Sequence, residues 1–272
     1  MTDYDEVETS IAKLSRDLRN SAASMTPTEA RLLVDAYYTM QKQRIMQHNR
    51  AFAMKNEPHE VIAWLGGQSL ILEKQVAAAL DKFRESHPIN DWLRDVFGIG
   101  PVLAAGLIAH IDIKQCPTVG HIWSFAGLNP EAKWEAGQKR PWNGRLKTLC
   151  WKVGESFKKF STNDKCVYGQ VYRQRKEYEV TRNERGDHAE LCAETIKTRK
   201  GLTPGQKEHY EKGRLPPGRI DLRSTRYATK QFLADMHNVW YQMEFKKKPP
   251  KPYPIAILGH AHERGLLQPW NG

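Results

Sequence analysis

The sequence predicts an all-α protein, and three observations carry that expectation. Thr26-Pro27-Thr28-Glu29 is a helix start, with a capping threonine, proline at the first helical position and a glutamate placed to return the cap's hydrogen bond. A Gly98-Ile99-Gly100-Pro101 turn is followed at once by the apolar run from Val102 to Ile111. From Leu222 to Phe245, the residues Phe232, Met236, Val239 or Trp240, and Met243 recur at helical spacing and form one stripe.

Residues 1–20 carry Val7, Ile11, Leu14 and Leu18 at intervals of four, three and four, which predicts a short amphipathic helix. The helix opened at Thr26 is expected to run to about Asn56, with Pro58 interrupting it. A second helix is expected from Glu60 to Phe83, with Gly66-Gly67 as a kink and Val76, Ala79, Leu80 and Phe83 on one side. Residues 1–90 therefore read as a helical hairpin or coiled coil, a scaffold or dimerisation arm.

Residues 91–160 begin with Trp92, Leu93 and Val96 on a short helix, then the Gly-Ile-Gly turn, then a helix with Pro101 in its first turn, where proline is tolerated. Helix, glycine hairpin and helix in that order resemble the helix-hairpin-helix motif, a sequence-independent grip on DNA phosphates. Gly98 and Gly100 would offer their amides beside a helix N-terminus, a natural anion site. The bland alternative is a turn that merely joins two core helices. A further apolar segment, His121 to Pro130, is closed by its glycine and proline, and Asn143-Gly144-Arg145-Leu146-Lys147 leads into a helix through Phe160.

Residues 161–220 read as a basic, loop-rich segment. Glycines and prolines between 183 and 220 predict loop with short helices, ordered in part on binding. Residues 221–272 read as one helix, an extended arm at Lys246 to Pro254, where prolines bar a helix, and a tail that docks on the core.

Composition narrows the function. The 272 residues carry 42 Lys and Arg against 31 Asp and Glu, a net charge of +11, which favours a polyanionic partner. Between Lys139 and Arg185 there are 13 basic and 5 acidic residues, interleaved with Trp142, Trp151, Tyr168, Tyr172 and Tyr178. Cations beside aromatic rings suit a nucleic-acid track, since the former neutralise phosphates and the latter offer stacking faces. The competing reading is a solvated helix face. No apolar run reaches a membrane span and the acidic, polar N-terminus is unlike a secretion signal, so a cytoplasmic protein is expected. Cys116, Cys150, Cys166 and Cys192 form no C-x-x-C pair and are expected to be free thiols. His188 and Cys192 share a helical face, and His260 and His262 would approach His237 if the tail folds back, but these separations are long. Structural histidines are the expectation, with no metal and no cofactor. Asp91, Asp95 and Asp112 read as caps and surface groups.

Gly98-Ile99-Gly100-Pro101, Ala104-Ala105, Phe125-Ala126-Gly127-Leu128-Asn129-Pro130, Gly137 with Lys139, and Asn143 to Lys147 recur together in one order. That pattern resembles the C-terminal domain of the Piv/MooV DNA invertases and the related insertion-sequence 110 transposases. The resemblance covers about a quarter of the chain. It implies a DNA transaction in which an N-terminal nuclease-like domain with four acidic residues binds metal, a coiled coil follows, and the C-terminal domain supplies a serine to strand exchange. Residues 1–90 would be the coiled coil, with no room before them for the acidic domain. The family's serine stretch aligns with Glu135 and Ala136, neither of which can attack phosphorus as an alkoxide. Ser124 and Thr118 are the nearby hydroxyls and the weak catalytic candidates, and the sequence names no base to activate them.

The leading expectation is therefore a DNA-binding protein that grips duplex or branched DNA without cutting it. Gly98 and Gly100 would hold one phosphate, and Lys139, Arg140, Arg145, Lys147 and Lys152 would supply the cations. A second reading is a recombinase or transposase subunit working with a separate nuclease domain. A third is an oligomeric structural protein, homo-oligomeric through its N-terminal helices, whose surface contacts protein or RNA. RNA enters through the resemblance, because related transposases use a guide RNA.

Overall fold

A computed structural model describes residues 13–53, 60–250 and 267–268. Among them it contains eleven α-helices, two single turns of 3-10 helix at Ala22–Ser24 and Ile113–Gln115, and no strand, so the all-α expectation holds. The N-terminal residues Val7 and Ile11, the histidines at 260 and 262 and most of the arm and tail lie outside the described residues.

The chain divides into two compact units, residues 1–94 with 100–112, and residues 95–99 with 113–272. The segment read from sequence as one domain, 91–160, is thus shared between them.

In the first unit, α1 (Arg16–Ser21) and a 3-10 turn precede α2 (Pro27–Ala53). The capping box forms: Glu29 N–H donates to Thr26 Oγ1 at 3.3 Å and Thr26 N–H donates to Glu29 Oε2 at 2.7 Å. These bonds to Thr26 hold the Glu29 carboxyl below its ordinary value. Helix α3 (Glu60–Glu85) packs along α2, and Gln47 and Ala51 line one groove with Ile62 and Gly66. Midway, Arg44 clamps the buried Glu73 with two bonds of 2.7 and 3.1 Å. Helix α4 (Asn90–Asp95) follows, and then α5 (Pro101–His110) packs on both long helices. Nearly every residue of α5 is buried, and Arg31 donates to the Ala109 carbonyl at 2.8 Å. An element apolar all round is a core helix.

The second unit contains α6 (Val119–Phe125), α7 (Gly144–Lys159), α8 (Val167–Glu184), α9 (Ala189–Thr198), α10 (Pro204–Glu211) and α11 (Pro217–Phe245). Helix α11 is its axis and touches α6, α7 and α8. The predicted stripe is its core face: Phe232, Met236 and Val239 are fully buried. Phe232 meets Phe157 of α7 and Tyr168 of α8 in an aromatic cluster, each pair 5.4 Å apart by ring centroid. The Tyr168 hydroxyl donates to Asp235 at 2.8 Å, which satisfies its one polar atom.

The 183–220 segment, expected to be loop with short helices, holds α9, α10 and the start of α11. Thr203-Pro204 with Gln206 is a second capping box and opens α10, while Cys192, Tyr210, Leu215 and Ile220 bury a small core of their own. Three of the glycines that suggested loop, Gly186, Gly201 and Gly213, sit between helices at positive φ, while Gly205 and Gly218 lie in the first turns of α10 and α11. Helix α11 starts at Pro217, five residues before Leu222. Leu267 of the tail packs against Val171, Tyr172 and Ala228, and its N–H donates to Asp235 at 3.0 Å.

Candidate nucleic-acid interface

The glycine turn is held from below. Gly98 has φ +98°, its carbonyl accepts the Ser156 hydroxyl of α7 at 2.6 Å, and a Cβ there would lie 3.3 Å from the Phe157 ring. The positive φ calls for glycine at that position, and the ring would make a Cβ a tight fit. Ile99 N–H closes the turn onto the Val96 carbonyl at 3.0 Å. Gly100 differs: it caps α5 at φ −80°, and a Cβ there would meet nothing within 4 Å. Among the described residues neither the Gly98 nor the Gly100 N–H donates a hydrogen bond. The exposed Gly100 thus offers an open N–H at the positive end of α5, whose first residue, Pro101, has none.

Helix α6 ends in a Schellman turn. Leu128 N–H reaches back to the Trp123 carbonyl at 2.8 Å, and Gly127 adopts φ +64°. Trp142 and the stem of Lys147 pack directly over Gly127, where a Cβ would fall 2.9 Å from the Trp142 ring. The Lys147 ammonium sits 4.1 Å from the Trp142 ring centre, and the Arg140 guanidinium lies 5.0 Å from that of Trp134. Asn143 caps α7 by accepting from the Arg145 and Leu146 N–H groups at 3.0 and 3.1 Å.

The first turn of α7 contains no acidic residue, while Arg140, Arg145 and Lys147 surround it. Cations at a helix N-terminus oppose the macrodipole. Lys147 is held below its ordinary pKa by partial desolvation and by repulsion from Arg226 and Arg140. Arg226 is itself lowered, by desolvation and by Arg219 and Arg223, and Lys230 by desolvation and Arg226. Among the described residues, Arg140, Lys147, Arg226 and Lys230 make no ion pair with a carboxylate.

The predicted cations do not form one group. Five residues, about 140° of helical turn, separate Lys147 from Lys152. Lys147 flanks the side of α7 that meets α11, whereas Arg145 and Lys152 share the opposite flank with Ser156, beside Gly98. Lys152 is half-buried and lowered by desolvation, and Lys139 stands exposed in the loop before α7. The later part of the basic track is spent on the protein itself. Lys158 and Lys176 both pair with Asp221, Arg175 and Arg223 with the buried Glu179, and Arg182 and Arg185 with Asp187. Tyr168 and Tyr172 are buried and offer no stacking face, while Trp151 and Tyr178 remain exposed.

Of the two candidate hydroxyls, Ser124 is exposed and makes no side-chain hydrogen bond among the described residues. Thr118 Oγ1 lies 3.0 Å from His121 Nδ1, a neighbour that sequence reading did not supply. Glu135 and Ala136 occupy an exposed loop. No group of three potential metal ligands occurs among the described residues. His188 lies 3.4 Å from Glu179, Cys192 belongs to the small core beside α10, and His237 Nε2 lies 2.8 Å from the Cys116 carbonyl oxygen. All four cysteines are buried free thiols, and burial pushes Cys150 up to about 12.

Arg226 and Lys230 lie beyond the basic track that ends at Arg185. Their signal was an i, i+4 basic pair on α11, off the apolar stripe.

Residues 90–148 match the family model described as Transposase IS116/IS110/IS902 family. The match runs from α4 through α5 and α6 into the first turns of α7, and this segment is a C-terminal transposase domain of the insertion-sequence 110 kind. No curated protein and no solved structure gave a significant match. No helix among the described residues is long and apolar enough to cross a membrane.

Proposed function

We propose that the chain is a sequence-tolerant DNA-binding protein related to the C-terminal domain of a transposase, gripping phosphates without cleaving them. The observation that carries this reading is the mutual repulsion of Arg140 and Lys147 at the positive end of α7, with no acidic residue in its first turn. That arrangement is unfavourable until an anion arrives, and a polyphosphate backbone relieves it at several points at once. The open amide of Gly100 at the start of α5 supplies a second, separate contact of helix-hairpin-helix type. The α2–α3 hairpin serves as an assembly arm for a homo-oligomer. Ile45, Met46, Phe52, Val61, Trp64 and Leu65 are exposed along it, more apolar surface than an unpartnered helix pair usually shows.

Fluorescence anisotropy with two duplexes of unrelated sequence tests the reading. Similar affinities are expected for both, and Arg140→Gln with Lys147→Gln should weaken both equally. Strong preference for one sequence, or indifference to the double substitution, would contradict it.

A second reading, participation in strand exchange beside a separate nuclease domain, is favoured by the contact of Thr118 with His121. A covalent protein–DNA adduct that vanishes in Thr118→Val would establish it. Absence of any adduct in the presence of a nuclease-domain partner would remove it.

A further inference from the structure

Helix α11 lies outside the segment matched to the transposase family, and its exposed flank repeats the chemistry found at α7. Trp123 of α6 donates its indole N–H to the Lys230 carbonyl at 3.3 Å, and the Lys230 ammonium returns over the same ring at 4.1 Å. One turn earlier, Arg226 is exposed between Lys230 and Lys147 and interacts electrostatically with both. The α7–α11 crossing fixes this placement. Gly154 lies so close to α11 that a Cβ there would be 2.5 Å from Thr225 and 2.7 Å from Thr229.

We propose that Arg226 and Lys230, seated on Trp123 and facing Lys147, form a phosphate-binding site that takes a phosphodiester of the bound strand.

Ion pairs elsewhere in this unit show what its other cations do. Lys158, Arg175, Arg182 and Arg223 all have carboxylates, whereas among the described residues Arg226 and Lys230 pair with none and repel other cations. Holding unneutralised cations together weakens the free fold, and the natural compensation is an external anion. The tryptophan beneath Lys230 fixes the ammonium without cancelling its charge. A phosphodiester supplies the negative charge, and a continuous strand would span the Arg226 and Lys147 sides of the crossing. This site deepens the DNA-binding reading and rests on it for the identity of the strand, while its phosphate chemistry stands alone.

The test compares wild type with Arg226→Gln and Lys230→Met, a substitution that keeps the apolar stem over Trp123. Each is titrated with a duplex of about 20 base pairs across a series of salt concentrations, and each is melted without ligand. Each substitution should lower the slope of log K against log salt by about one and weaken binding roughly tenfold near 0.1 M salt. The ligand-free melting temperature should hold or rise, because a repulsion has been removed. A residue with a merely structural role would lower it.

If slope and affinity stay at wild-type values while Lys147→Gln weakens binding, the α11 site is overturned and the functional reading survives. If wild type binds single-stranded RNA of equal length but no DNA, the DNA reading falls. The phosphate site is then retained if Arg226→Gln weakens the RNA complex and overturned if it does not. Should wild type bind neither, inorganic pyrophosphate decides: a melting rise in wild type that is lost in Arg226→Gln sustains the site, and no rise overturns it.

Discussion

The α7–α11 crossing makes a sharp demand on Gly154. Replacing it by alanine in the middle of a helix would ordinarily stabilise by about 1 kcal/mol through propensity. Here the new methyl would stand 2.5 Å from Thr225 Cγ2 and 2.7 Å from Thr229 Oγ1. Ordinary contact is about 3.5–4.0 Å, so each approach is about 1 Å too close. The threonines cannot rotate away freely, because their hydroxyls donate to the Asp221 and Thr225 carbonyls at 2.9 and 3.0 Å. Giving up one such bond costs about 1 kcal/mol, and overpacking a tight crossing costs about 1–3 kcal/mol. The clash therefore outweighs the propensity gain, and Gly154→Ala should lose about 2 kcal/mol net. Urea denaturation reads this as a lower midpoint at unchanged slope. Adding Thr225→Ser, which removes only the clashing methyl, should restore part of the loss. A Gly154→Ala protein as stable as wild type, or more so, would refute the close approach on which the placement of Arg226 depends.

Other consequences follow from local geometry. Gly98→Ala should cost at least about 1 kcal/mol, since φ +98° strains any residue with a Cβ, while Gly100→Ala at φ −80° in open space should stay within about 0.5 kcal/mol. Equal losses in chemical denaturation would contradict that contrast. Glu179 is fully buried; burial alone would raise its pKa, but Arg223 and Arg175 hold it below the ordinary value. Glu179→Gln leaves those partners unpaired and should cost about 3–5 kcal/mol near neutral pH. Because the folded pKa is depressed, the carboxylate's contribution is present above the unfolded value of about 4.3 and is lost as pH falls through the folded one. The stability gap between wild type and Glu179→Gln should therefore narrow on acidification from about pH 6 to pH 3. A gap that stays constant would show that Glu179 does not act through its charge.

Local chemistry was readable in the sequence, and pairing across the chain was not. The capping box at Thr26 and the core stripe of α11 are set by neighbours three and four residues apart, and both appear as expected. The same box at Thr203 is equally local but stands among glycines and prolines that also mark loop; Gly201 and Gly213 prove to be joints between helices, while Pro204 and Gly205 open α10. Helix α5 was found, but being apolar on every side it has no polar face to say which neighbours it joins. The basic track misled for a different reason. Whether a lysine is free depends on partners such as Asp221, 63 residues beyond Lys158, and Arg223, 44 beyond Glu179. Only the fold separates the cations of that track that meet carboxylates, such as Lys158, from Arg140 and Lys147, which among the described residues do not.

The most direct test of the account is the salt dependence of duplex binding by the wild-type protein, set beside Lys147→Gln. The expected result is a steep linear fall of log K with log salt, shallower by about one unit in the variant. Binding that is flat in salt, or a variant slope identical to that of wild type, would contradict the claim that cations at the head of α7 hold the phosphate backbone.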